Sequence, residues 1–417
     1  MRKNISGKYN IAVLSIYPMP YGGAATNRIS AYSKALCENG ASIDIFIPYP
    51  TDNIDQTRPQ LPDKGVINDI HYTYTTGRYP NSSLFIRGII SLLKLKYIIG
   101  FVTSYSALKK AVRNKKYEIL IINTDRISFL LWYRFVAKKI NAKSIFIFDE
   151  YPIPIRHKLK PRIPKWKQIG YRITLKKIDA YISISEKLKE YYCNFSSKQT
   201  FVLPIIIDTD KFGISVQAEK EKNNKYLCYM GNMELAKDDV DNIIQAFSFI
   251  ANDYPDIDLY LYGKPATEVE IHLTPIINAL GLSNRVLFKG YARNDSVPQI
   301  LANAYILVSS QPDTIRASGG FPTKLGEYLA TGVPSVFTDV GENSKYVRDK
   351  EHVFFVKPED PEAYAKQIKF ILDNYDKALH VAKQGQLFVR ENYSVKIQGE
   401  KMICFLKKIS QKTSFNQ

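Results

Sequence analysis

Short, largely apolar runs that polar residues do not interrupt in alternation are the strongest constraint on how this chain can fold. In the first half they fall at Tyr9–Ser15, Ile43–Ile47, Glu118–Ile122, Ser144–Phe148 and Asp179–Ile184. A strand with one solvated face alternates apolar and polar residues, whereas continuous apolar runs suit strands buried on both faces. Helices laid over both sides of a parallel sheet provide that burial, and helical patterns separate these runs. The first such helix is expected over Thr26–Asn39, with Thr26 as its cap and Gly40 as its stop. The expectation for this half is an α/β, doubly wound parallel sheet.

The pattern breaks near Pro204, where an extended Ile205-Ile206-Ile207-Asp208 leads into a polar, charged stretch from Ser215 to Lys225. A second series of strand-like runs follows at Tyr226–Met230, Ile257–Tyr262, Arg285–Phe288, Ala304–Val308 and Pro334–Thr338. At 417 residues the chain exceeds what one hydrophobic core usually organises. Two Rossmann-like domains facing a cleft are therefore expected, residues 1–203 and 204–394. The last helical stretch, Val395–Lys408 within about 395–417, has no strand after it and is expected to pack back on the first domain. With 45% hydrophobic and 24% charged residues, the composition is that of a folded globular protein rather than a disordered or fibrous one.

The segment Gly319–Pro334 has the clearest local grammar. Gly319, Gly320, Phe321, Pro322 and Thr323 lead into a short helix that Gly332 and Pro334 close. Leu325, Tyr328 and Leu329 fall on one inward face, with Lys324 and Glu327 three apart on the adjacent flank. A helix N-terminus offers unpaired amides and about half a positive charge, so it is a natural seat for a diphosphate, to which Lys324 adds a full charge. Glu327, one turn on, is suited to accept two hydrogen bonds from the vicinal hydroxyls of a ribose. The alternative is a surface i, i+3 salt bridge between Lys324 and Glu327.

In context, this segment resembles the retaining glycosyltransferases of the GT-B fold, specifically glycosyltransferase family 4 and its bacterial polysaccharide-biosynthesis members. The shared pattern is Phe-Pro-Ser/Thr-Lys-x-x-Glu-Tyr-hydrophobic-Ala-x-Gly-x-Pro. Other landmarks keep the same order: Gly22-Gly23-Ala24-Ala25-Thr26-Asn27-Arg28, Ser183-Ile184-Ser185-Glu186, Pro204–Phe212, Tyr229-Met230-Gly231 and Phe288-Lys289-Gly290-Tyr291. The resemblance implies that Glu327 binds the donor ribose and that the backbone of Phe321–Lys324 meets sugar and phosphate. It further implies that Gly290 and Tyr291 border the base, and that Gly22 and Gly23 approach the diphosphate. Two departures matter. The family's leading glutamate of a Glu-x7-Glu pair is Gly319 here, and the Arg that often follows the first glycine of the second domain is Asn232, which leaves Gly231 and Lys237 to supply that loop. Lysines can neutralise a leaving diphosphate without a metal, so no metal or other cofactor is expected.

Asp149 and Glu150 follow the run Ser144–Phe148, and ligands of open α/β sheets bind outside the carboxyl ends of strands. Either carboxylate is a candidate to act on an acceptor hydroxyl or to orient donor hydroxyls, the alternative being a helix cap or a solvated charge. His157, in a basic, proline-rich stretch, ranks below them.

Lys and Arg total 58 against 40 Asp and Glu, a net +18, which implies a polyanionic partner. From Arg156 to Lys177 there are nine Lys or Arg interleaved with Ile163, Trp166, Ile169, Tyr171 and Ile173, and no acidic residue. Leu84–Ser104 is strongly apolar with Arg87, Lys94 and Lys96 spaced through it, which suits a helix lying in an interface, or a buried helix whose lysines reach solvent. Both segments point to an anionic membrane surface. No nucleic-acid-binding signature is present, and nucleic acid is not an expected partner. Cys37, Cys193, Cys228 and Cys404 form no metal or disulfide pattern, and the polar start Met1–Lys8 has no signal-peptide grammar. The expectation is a cytoplasmic, peripheral membrane glycosyltransferase using a nucleotide-sugar donor and a lipid-linked or polysaccharide acceptor. A nucleotide-sugar epimerase or a basic nucleic-acid binder are the alternatives.

Overall fold

A computed structural model of the chain describes residues 9–51, 61–79, 95–124, 126–152, 155, 162–212, 225–234, 237–263 and 267–411. They form two compact units. One holds the described residues of Met1–Pro152, Arg162–Pro204 and Val395–Gln417, and the other those of Ile153–Pro161 and Ile205–Ser394.

The first unit runs β1 (Tyr9–Ser15), α1 (Ala24–Glu38), β2 (Ala41–Ile47), β3 (Lys64–Ile67), β4 (Ile70–Tyr74), α2 (Leu95–Val112), β5 (Ile119–Asn123) and α3 (Ile127–Lys139). It continues with β6 (Lys143–Phe148), α4 (Lys165–Leu175), β7 (Ala180–Ser183), α5 (Glu186–Cys193) and β8 (Thr200–Val202). The sheet order is β3-β4-β2-β1-β5-β6-β7-β8, and every pair except β3–β4 is parallel. Strand β1 lies at the centre, with Ile11 paired to Ile43 on one side and to Ile119 on the other. Its residues Ile11–Leu14 are almost wholly buried, as their uninterrupted apolar run requires.

Sequence and structure differ at the edges. Helix α1 begins at Ala24 with Gly23 as its N-cap, so Thr26 lies inside the first turn and does not cap it; its hydroxyl donates instead to the Pro18 carbonyl at 2.8 Å. The hairpin β3–β4 was not anticipated. It turns at Asn68 and Asp69, whose φ values of 49° and 62° lie in the left-handed region that short polar side chains tolerate. Of the apolar stretch Leu84–Ser104, residues 84–94 lie outside the described residues, and the described helix α2 extends eight residues beyond Ser104, to Val112.

The second unit runs β9 (Lys225–Met230), α6 (Val240–Ser248), β10 (Ile257–Tyr262), α7 (Thr267–Ala279), β11 (Val286–Gly290), α8 (Val297–Asn303) and β12 (Ile306–Ser309). There follow α9 (Ile315–Gly319), α10 (Thr323–Thr331), β13 (Ser335–Thr338), α11 (Asn343–Tyr346), β14 (Phe354–Val356), α12 (Pro361–Asp373) and α13 (Tyr375–Tyr393). Its sheet is parallel throughout, in the order β11-β10-β9-β12-β13-β14. The strand order reverses between β9 and β12, the doubly wound arrangement of a Rossmann sheet. Helix α10 stops at Gly332, whose φ of 71° is the left-handed geometry that glycine adopts without steric cost. Helix α14 (Val395–Gln411) returns to the first unit, where it packs on α1. There Tyr9 donates to the Leu406 carbonyl at 3.2 Å and Phe201 stacks on Phe405. Among the described residues no helix is long and apolar enough to cross a membrane.

Candidate functional site

In an open α/β sheet the crevice for a ligand lies beyond the carboxyl ends of the strands, where the strand order reverses. In the second unit that place is the end of β9 beside the end of β12. The Asp239 amide donates to the Ser310 carbonyl at 3.0 Å and the Asn242 side-chain amide to the Ser310 hydroxyl at 3.0 Å, which ties the two loops together. The ends of β9, β10 and β11 are joined as well, Gly231 N donating to Tyr262 O at 3.0 Å and Gly263 N to Gly290 O at 2.8 Å. Helix α10 is anchored to the same place because the Met230 amide donates to the Tyr328 hydroxyl at 3.0 Å.

Lys324, in the first turn of α10, reaches the end of β9. Its Nζ is 2.6 Å from Asp238 Oδ1 and donates to the Tyr229 hydroxyl at 3.1 Å, lying 4.3 Å from the centre of the Tyr229 ring. The surface salt bridge between Lys324 and Glu327 is therefore not formed; Lys324 takes a carboxylate from the loop after β9. Gly231 makes room for this, since a Cβ at that position would lie 2.5 Å from Lys324 Nζ and 2.5 Å from the Tyr229 oxygen.

Lys237 and Glu327 differ from Lys324 in lacking such a partner. Neither makes an ion pair or a side-chain hydrogen bond with another described residue. Burial lowers the Lys237 ammonium below its ordinary value, opposed by Asp238, while the nearby charges of Arg316 and Lys324 push it the same way as burial. Burial raises the Glu327 carboxyl from 4.5 to about 7, against the positive charges of Lys211 and Lys324. Arg316 on α9 adds a further cation, held by Glu234 at 2.8 Å. Lys237 and Glu327, without such partners among the described residues, each lie within electrostatic reach of Lys324.

The second unit holds most of the other anticipated residues. Gly319 ends α9, Gly320 caps it, and Pro322 precedes Thr323 at the start of α10 with no side chain capping that helix end. Phe321 is buried edge-on against Tyr346, so its ring serves packing and only its backbone is left for a ligand. Gly290 and the exposed Tyr291 lie at the end of β11, the edge strand beyond β10. In the first unit Gly22 and Gly23 are exposed just before α1. Asp149, after β6, accepts from Arg28 Nε at 2.9 Å, and the buried Arg28 also donates to the carbonyls of Leu203 and Pro204. This engages Asp149 in an internal ion pair, and Asp149 and Glu150 are both partly exposed. His157 lies outside the described residues.

Asp238 and Arg316 were not anticipated from the sequence, and Tyr229 only as part of the landmark Tyr229-Met230-Gly231. Asp-x-Asp triplets do occur, at Asp208–Asp210, Asp239–Asp241 and Asp256–Asp258, but among the described residues no group of three or more His, Cys, Asp or Glu is arranged to hold a metal ion.

Residues 185–388 match the family model described as glycosyl transferases group 1. These 204 residues are just under half of the chain. An uncharacterized glycosyltransferase of Methanocaldococcus jannaschii is 21% identical over 226 residues, which are 51% of this chain and 56% of that protein, so the chain spans about half the length of this curated relative. The fold is shared more widely. Sucrose-phosphate synthase from Thermosynechococcus elongatus superposes with a TM-score of 0.72 at 16% identity, over 96% of this chain and 99% of that one. A glycosyltransferase from Rickettsia africae gives 0.69 at 15% identity, over 97% and 99%. Anabaena HepE, solved in complex with UDP and glucose, gives 0.66 at 16% identity, over 96% and 100%. The α/β class and the GT-B fold expected from the sequence are thus observed.

Proposed function

We propose that the group 1 domain of this chain makes it a retaining glycosyltransferase of the family 4 type. It moves a sugar from a nucleotide diphosphate sugar to a lipid-linked or polysaccharide acceptor at the cytoplasmic face of the membrane, in bacterial capsule or O-antigen synthesis. The observation that carries the donor assignment is Lys237, without an ion pair among the described residues, near the held Lys324 at the end of β9, with Glu327 one turn further along α10. On this reading the two lysines neutralise the diphosphate, Glu327 accepts from the ribose hydroxyls, and the uncapped start of α10 faces phosphate. Anabaena HepE binds UDP and glucose, which supports a donor of the same chemical class.

The donor's bond from the anomeric carbon to the diphosphate breaks, and a bond to the acceptor oxygen forms on the same face of the sugar. The acceptor's proton passes to the leaving phosphate oxygen, so neither a protein base nor a metal is required. Asp149 and Glu150 are the first-unit carboxylates suited to orient the acceptor. Helix α4 supports a membrane partner: Trp166, Ile169 and Ile173 share one stripe and are 71%, 57% and 52% exposed, with exposed Lys165, Arg172 and Lys176 along its flank.

A panel of nucleotide sugars incubated with and without bacterial lipid-linked acceptors tests this. Transfer with retained anomeric configuration, read by NMR of the product, is expected. Conversion of the donor to another nucleotide sugar without acceptor would instead assign an epimerase. Flotation with anionic but not neutral vesicles, weakened in Trp166→Ala, is the expected membrane result.

A further inference from the structure

Lys324 is held far more tightly than a surface lysine. Of the three N–H groups on its ammonium, one meets Asp238 Oδ1 at 2.6 Å and one meets the Tyr229 hydroxyl at 3.1 Å, with the Tyr229 ring 4.3 Å away. Among the described residues the third has no acceptor. Asp238 is 2% exposed. The Tyr229 hydroxyl is itself fixed, because it accepts from the Met233 amide at 3.2 Å. The chain thus places a buried carboxylate and a buried phenol on one lysine at the point where the strand order reverses.

Stability alone does not account for this arrangement, since desolvation of a buried ion pair consumes most of its Coulombic gain. What the arrangement does supply is geometry. A free lysine side chain is a flexible stem that loses rotamer freedom when it binds an anion, and a lysine already fixed by two partners does not incur that cost at binding.

We propose that Asp238, with Tyr229, is a positioning residue that holds Lys324 in place for the donor's diphosphate and leaves its third N–H for a phosphate oxygen. This rests on the reading that the crevice after β9 seats a nucleoside diphosphate. Asp238 stands directly beside Lys237, so the same loop delivers a cation with no ion pair among the described residues and the carboxylate that orients the other. Gly231 belongs to the same device, because any side chain there would occupy the space of the Lys324 ammonium and the Tyr229 oxygen.

The test uses the full chain, with UDP and GDP each compared with its own nucleoside by NMR titration, which reaches millimolar affinities. Asp238→Ala is expected to weaken the diphosphate that wild type binds by about tenfold, the worth of one charge-assisted hydrogen bond, with nucleoside affinity unchanged. Asp238→Asn, which keeps an oxygen acceptor, is expected to stay within about threefold of wild type. Tyr229→Phe, which removes a single oxygen, is expected to weaken the diphosphate by about threefold, and it carries the test if Asp238→Ala does not fold. Unchanged or tighter diphosphate binding in Asp238→Ala or Tyr229→Phe would overturn the proposal, as would equal losses for diphosphate and nucleoside. Failure of wild type to bind either diphosphate would instead overturn the donor-site reading beneath it.

Discussion

Replacing Glu327 by Gln separates the cost of this carboxylate to the fold from its use in binding. Burial raises the Glu327 carboxyl from 4.5 to about 7, so the folded protein holds a proton that the unfolded chain has already released between those values. For an acid raised in this way, stability is fullest below the unfolded value and is lost as pH rises through the folded one. At about 1.4 kcal/mol per pH unit, the upper bound on the destabilisation above neutrality is about 3 kcal/mol, and residual solvent contact brings it to about 1–2 kcal/mol. Glu327→Gln removes the charge while keeping the shape, so it is expected to be more stable than wild type by that amount at pH 8 and equal to it near pH 4.5. Thermal melts across pH 4.5–8 measure this, and nucleotide titration of the same samples is expected to show weakened binding, since an amide oxygen is a poorer acceptor for two hydroxyls than a carboxylate. A stability difference that does not change with pH would refute the burial argument.

Two further outcomes follow from the packing. Gly231→Ala is expected to displace both the Lys324 ammonium and the fixed Tyr229 hydroxyl, since the added methyl would lie 2.5 Å from each; nucleotide affinity should fall about tenfold and the melting temperature should fall with it. Arg28→Ala is expected to cost about 3–5 kcal/mol, read from denaturant unfolding, because it strands the Asp149 carboxylate and the carbonyls of Leu203 and Pro204 without their donor; a loss under about 1 kcal/mol would show that Asp149 does not depend on this pair.

The central strands were legible because burial on both faces leaves an uninterrupted apolar run, as at Ile119–Asn123 and Ile306–Ser309, where every residue is buried. The edges were not. Strand β3 carries Lys64 and an exposed Val66, and β4 alternates buried Ile70, Tyr72 and Tyr74 with His71 and Thr73. Short edge strands β8 and β14, of three residues each, give too little pattern to distinguish from loop. In the candidate site, Lys324 and Glu327 were legible from helix-end chemistry, which is local. The partner of Lys324 was not, since Asp238 lies 86 residues away in the chain and only the sheet order brings the two together. Likewise nothing in the residues around Asp149 reveals Arg28, which lies 121 positions earlier. Local grammar named Lys324 and Glu327 as candidates; long-range pairing decided that Lys324 takes Asp238.

Calorimetric titration of the full chain with a panel of UDP- and GDP-sugars, repeated in Lys324→Ala and Glu327→Ala, tests the donor site most directly. One donor class should bind wild type at about micromolar strength and lose at least about tenfold in each variant. Unchanged affinity in both variants would contradict the assignment of the crevice after β9 as the donor site.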